Sequence, residues 1–130
     1  EIRFCDWSSD VCSSDLFALY GGKALDSPAL AEMLAAPTGT ASARYYGLGA
    51  GVFPAADGLP LAYGHDGYIP GYRSSMRYYP AAGMAIALQV NTEDGYWEEG
   101  KQGAVAGHLD FASLRARITR AVLEFPGARR

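Results

Sequence analysis

Met84-Ala85-Ile86-Ala87-Leu88-Gln89-Val90-Asn91-Thr92 alternates with period two. Met84, Ile86, Leu88 and Val90 form a bulky apolar face, while Ala85, Ala87, Gln89 and Asn91 form a small, more polar one. That pattern predicts a strand with two different neighbours, in a sheet that helices cover on one side. Immediately upstream, Pro80-Ala81-Ala82-Gly83 reads as a turn, and Tyr72 to Tyr79 as the preceding strand. Further back, Tyr45 to Phe53 alternates too, with Tyr46, Leu48, Ala50 and Val52 on one face and Gly47, Gly49 and Gly51 on the other. Glycines in a row on one face let another backbone or a helix approach closely. Asp57-Gly58 is a hairpin signal, so Leu59 to Gly64 is expected to return as the partner strand.

Helices bracket these strands. Asp26 or Ser27 can cap a short helix in which Pro28 is harmless, and Leu30, Met33 and Leu34 supply its apolar stripe. Pro37 and Gly39 are expected to end it. A final helix is expected from Asp110, with Leu109 and Leu114 as a staple and Leu114, Ile118, Ala121, Val122 and Phe125 buried. Arg115, Arg117 and Arg120 are read as its solvated face, and Pro126-Gly127 as its stop. The fold class is therefore α+β, an antiparallel meander flanked by helices.

The segment 1–16 stands apart. Ser-Ser-Asp occurs at 8–10 and again at 13–15, without helical or alternating apolar period. This stretch resembles translated sequencing-adapter sequence, with a disordered linker as the alternative, and the folded part is expected to be 17–130. Both cysteines, Cys5 and Cys12, fall in that leader and so carry no redox or metal argument. Of fourteen acids and eleven bases, four and one lie there, which leaves ten of each in 17–130. No basic stripe suggests nucleic acid, and no apolar run reaches the ~18–20 residues of a membrane span. No metal or cofactor is implied. His108 and Asp110 lack metal-ligand spacing.

The chemically informative stretch is Tyr63-Gly64-His65-Asp66-Gly67-Tyr68-Ile69-Pro70-Gly71-Tyr72. Asp66-Gly67 alone is a turn signal, and His65 then merely precedes it. The functional reading is a glycine-flanked strand whose histidine faces a ligand, able to donate, accept or carry charge near neutral pH. A glycine two residues later permits close backbone approach, and an N–H just beyond can stabilise an oxyanion. Arg73 and Arg77 share one strand face, where either an anionic substrate or cross-strand ion pairs would suit them.

Tyr46-Gly47-Leu48-Gly49, Gly64-His65-Asp66-Gly67, Pro70-Gly71-Tyr72 and Met84 to Thr92, in this order, resemble the serine β-lactamase-related family. Class C β-lactamases, D-Ala-D-Ala carboxypeptidases and related esterases belong to it. By this resemblance the chain is the C-terminal portion of a penicillin-recognising serine hydrolase, periplasmic or secreted. His65-Asp66-Gly67 would be its His-x-Gly triplet, lining the active site. The Tyr68 amide would be an oxyanion donor, and the strand from His65 to Tyr68 would pair with a peptide or small-molecule substrate. Asp66, Tyr68 and Arg73 are then the substrate-binding candidates, beside His65, Gly67 and Tyr68 as catalytic ones. A negative Asp66 in that triplet would repel a substrate carboxylate, which favours an esterase or peptidase-like member. Ser-x-x-Lys is absent from this sequence: Tyr20 and Glu98 stand three residues before the two lysines, Lys23 and Lys101. Tyr-x-Asn is absent as well, because Gln89 stands two before the single asparagine, Asn91. The resemblance thus places the nucleophile upstream and implies that this portion is inactive alone; the alternative is a non-catalytic binding or scaffold member of the same fold.

Overall fold

The computed structural model describes residues 9–35, 45–91 and 111–125. Five strands form one antiparallel sheet in chain order: β1 (Tyr45–Tyr46), β2 (Gly51–Phe53), β3 (Ala62–Ile69), β4 (Tyr72–Tyr79) and β5 (Met84–Val90). Each strand pairs with its chain neighbour, so every connection is a hairpin. The Asp57-Gly58 turn is where the sequence places it. Both residues take positive φ, 52° and 75°, and Ala56 and Leu59 exchange backbone hydrogen bonds across the turn.

The stretch read as one strand from Tyr45 to Phe53 is two. Gly47 N–H donates to the Ala50 carbonyl at 2.8 Å, folding Gly47–Ala50 back as a turn between β1 and β2. Tyr46 and Leu48 are consequently exposed, and only Ala50 and Val52 of the expected apolar face are buried. The close approach inferred from the glycines does occur. A side chain at Gly47 would run into the Met33 backbone carbonyl, and that carbonyl accepts the Leu48 N–H at 2.8 Å.

Helices lie on both faces of the sheet, not on one. α1 (Ser9–Tyr20) begins inside the segment read as a structureless leader. Leu16 is 5% exposed and joins Tyr20, Ala50 and Tyr78 in the core. Tyr20 stacks near Tyr63 and Tyr78, with ring centroids 5.7 and 6.1 Å apart. Lys23 and Ala24 N–H groups both close on the Ala18 carbonyl after Gly22 turns with φ 76°, which ends the helix. α2 (Ser27–Met33) is capped by Asp26, whose Oδ1 accepts the Ala29 N–H at 2.9 Å. Its Leu30 and Met33, with Leu34 beyond them, pack against the same core.

α3 (Phe111–Glu124) covers the opposite face, against Ile86 and Leu88 of β5. Its inward side is rotated from the expected one. Phe111 and Thr119 are buried, whereas Ala121 and Phe125 are exposed. Thr119 Oγ1 lies 3.4 Å from the Tyr79 hydroxyl, and Arg115 turns toward the sheet rather than into solvent. Pro37 and Gly39, Thr92, Trp97 to Glu99, His108 to Asp110 and Pro126-Gly127 lie outside the described residues, as does Cys5.

A buried leucine replaced by alanine leaves a cavity. Leu16→Ala is expected to lower the unfolding free energy by about 2 to 5 kcal/mol, measured by urea denaturation. A change under about 0.5 kcal/mol would mean that α1 does not dock on the sheet as described.

Candidate functional site

Alternation along β3 divides the candidate residues between two environments. Registered partners share a face, so His65, Gly67 and Ile69 lie with Tyr72, Ser74 and Met76, on the side where α1 packs lower down. Asp66 and Tyr68 lie with Arg73, Ser75 and Arg77, on the α3 side. The structure therefore puts His65 and Gly67 on one face of the sheet and Asp66, Tyr68 and Arg73 on the other, as the period of two requires. All three of the latter were read as substrate contacts; Tyr68 and Arg73 reach the sheet's end beside Gly67, and Asp66 does not.

His65 is exposed, with the Tyr46 ring against it edge-on at 5.6 Å. Gly67 is exposed too, and a Cβ there would displace the Ser74 hydroxyl that lies beside it. Register between β2 and β3 stops at Gly64, whereas register between β3 and β4 continues to Ile69. Gly67, Ile69, Tyr72, Ser74, Gln89 and Asn91 line an open groove of about 800 Å3, which Tyr68, Arg73 and Val90 complete at the sheet's end. Small-molecule sites commonly measure about 300–1,000 Å3. The flanking glycines and the His-x-Gly resemblance pointed to His65 and Gly67; nothing in the local spacing pointed to Ser74 or Gln89, which the β4–β5 register brings there.

The other face is electrostatic. Arg77, 4% exposed, donates from Nη2 to both Asp66 carboxylate oxygens at 2.7 Å. Its Nη1 donates to the His65 and Met76 carbonyls at 2.8 and 2.9 Å, and its guanidinium lies 3.6 Å from the Phe53 ring centre. Arg115 adds a looser contact to Asp66 at 3.4 Å. Burial pushes the Asp66 carboxyl up, but the Arg77 hydrogen bonds and charge, with Ser75 and Arg115 behind them, outweigh it and hold the group below the usual carboxylate range. Burial likewise lowers the Arg77 guanidinium, against the opposing pull of Asp66. Arg73 is packed under α3 with its guanidinium 4.7 Å from the Phe111 ring centre. The Asp66 carboxylate, expected to face a substrate carboxylate, lies on the face opposite His65 and meets the Arg77 and Arg115 guanidiniums.

The sequence pattern that defines the beta-lactamase family matches residues 10–109. The chain belongs to the beta-lactamase family. Within solved structures, a D-stereospecific amidohydrolase from a Streptomyces species is similar at 28% identity and a TM-score of 0.51 over 58% of this chain. A penicillin binding protein from Bacillus halodurans shares the fold at 20% identity and a TM-score of 0.54 over 80% of it. The chain spans 23% and 27% of the length of those two proteins. No curated protein matches the sequence significantly. As a beta-lactamase family member the chain has an α+β fold with a five-stranded antiparallel sheet, and no described helix is long and apolar enough to cross a membrane. Among the described residues, no three His, Cys, Asp or Glu side chains gather as a metal site would need.

The lowered Asp66 sets the sign of an acid effect. Its contribution is fully present above the unfolded carboxylate value of about 4 and is lost as pH falls through the folded value. Asp66→Asn is expected to destabilise the protein by about 1 to 3 kcal/mol at pH 7. Denaturation curves between pH 7 and 2 should show a smaller acid-side loss in that variant than in the wild type. An equal loss in both would assign the acid effect to other carboxyls.

Proposed function

We propose that this chain carries the substrate-binding strand of a serine hydrolase that works through an acyl-enzyme on an amide, ester or β-lactam carbonyl. The observation that supports it is the end of β2–β3 register at Gly64, beyond which His65 and Gly67 lie exposed on one face of β3 and Gly67 borders the groove. In this reading His65 assists proton movement at the reacting centre, and the Tyr68 amide polarises the carbonyl oxygen. A serine outside this sequence bonds to the carbonyl carbon, the C–N or C–O bond breaks, the leaving group departs protonated, and water releases the acid. The likeness to a D-stereospecific amidohydrolase supports amides of D-residues as one substrate class. With Asp66 turned away and compensated, a substrate carboxylate carries no penalty from it, so neither esters nor peptides gain a preference over β-lactams on that ground. By itself the chain is expected to be inactive, since Ser-x-x-Lys and Tyr-x-Asn are absent from it.

Protein expressed from the complete reading frame should be offered a fluorescent penicillin, a D-Ala-D-Ala peptide, a D-amino-acid amide and a short-chain aryl ester. A covalent adduct seen by intact-mass spectrometry with at least one is expected, and His65→Ala should slow acylation by at least about tenfold. Neither adduct nor turnover with any of the four would overturn the proposal and favour a binding or scaffold role.

A further inference from the structure

Arg77 touches the candidate site without lying on its face. One planar fork grips two parts of β3 at once: the His65 carbonyl through Nη1 and the Asp66 carboxylate through Nη2. The His65 carbonyl and the Asp66 N–H belong to the same planar peptide unit. Holding that oxygen at 2.8 Å therefore fixes the rotation of the peptide plane between them. The fork is itself constrained from three sides. Asp66 receives it with paired 2.7 Å bonds, the Phe53 ring stacks on it from β2, and the Met76 carbonyl accepts a further N–H. Arginine suits this place because its donors are coplanar, whereas a lysine could meet one acceptor at a time.

We infer that Arg77, oriented by Asp66, is a positioning residue that sets the backbone of β3 from His65 to Tyr68 for the substrate carbonyl. The inference rests on the serine-hydrolase reading of that strand and gives its charged back face a task. Asp66 acts through Arg77 and never meets substrate. Stability alone is a weak account of the pair, since apolar side chains of similar volume commonly replace a buried ion pair at no loss. They would have no donor for the His65 carbonyl.

The test compares wild type, Asp66→Asn and Arg77→Met in protein from the complete reading frame, with two readouts. Amide hydrogen exchange followed by mass spectrometry reports the strand directly. Asp66→Asn is expected to speed exchange in peptides covering 62–69 by at least about tenfold more than in β5 and α3 peptides, which report the global loss of stability. On whichever substrate turns over, kcat is expected to fall at least about tenfold with KM within about threefold, because a displaced donor weakens the transition state more than the bound ground state. Uniform acceleration of exchange across β3, β5 and α3 would overturn the inference in favour of general destabilisation. So would unchanged kcat beside a loosened β3. If Arg77→Met does not fold, Asp66→Asn decides the matter, because it keeps the guanidinium and removes only its partner charge. If the wild type acylates nothing, the serine-hydrolase reading falls, and the exchange pattern alone decides whether Asp66 and Arg77 hold the strand.

Discussion

A guanidinium on a strand flanked on both sides by others has to be compensated where it stands, and much of this structure is arranged around that requirement. Arg77 lies on β4, yet its partners come from β2, β3 and β4 together: the Phe53 ring, the His65 carbonyl, the Asp66 carboxylate and the Met76 carbonyl. Arg115 brings α3 to the same carboxylate. Hydrogen bonds to charged groups are worth more than neutral ones, about 1.5 to 3 kcal/mol each, but removing either partner leaves the other desolvated and unanswered. Sheet and α3 are thus tied at one point, and the tie runs through the peptide next to the candidate site.

The opposite face is held by a different kind of force. Leu16, Tyr20, Ala50 and Tyr78 exclude water at one end, with Phe17 set edge-on against Tyr78 at 6.2 Å. Toward the β3–β4 hairpin that packing gives way to the groove beside Gly67 and Ser74. Apolar burial is non-directional and tolerates small shifts, whereas paired charged hydrogen bonds do not. Placing the directional contacts behind His65 and the adaptable ones beside it leaves the front surface open to a ligand without loosening the strand that would receive it.

Where local chemistry decided an element, the sequence was sufficient to read it. Asp26 accepts the Ala29 N–H as a cap should, Asp57-Gly58 takes the positive φ that its residue types favour, and Tyr72–Tyr79 keeps its boundaries. Readings failed where a long-range contact overrode a local pattern. Tyr45 to Phe53 alternates well enough for one strand, but docking on Met33 turns the chain at Gly47. Leu16, Leu19 and Tyr20 form a helical i, i+3, i+4 stripe that a boundary at residue 17 cuts in two. In α3 the inward row runs through Phe111, Arg115, Ile118 and Thr119, and hydrophobicity alone does not nominate an arginine and a threonine for the interior. They turn inward because Asp66 and the Tyr79 hydroxyl are there to meet them.

The His-Asp-Gly triplet shows the same division within three residues. His65 and Gly67 share a face, and the period of two sends Asp66 to the other, so adjacency in sequence was a poor guide to adjacency at the site. The triplet pointed to this strand as the candidate site; illegible was which partner Asp66 would find, since Arg77 lies eleven positions away and Arg115 forty-nine. The β3–β4 hairpin supplies the first partner. In the register found, Asp66 sits opposite Ser75 and Arg77 opposite Gly64, which sets the two charged side chains diagonally on one face. A slip by one residue would put Arg77 on the face of His65 and strand Asp66 alone against α3. The ion pair therefore selects the register that also puts His65 and Gly67 together on the open face, and hairpin pairing and site geometry are the same constraint seen from two faces.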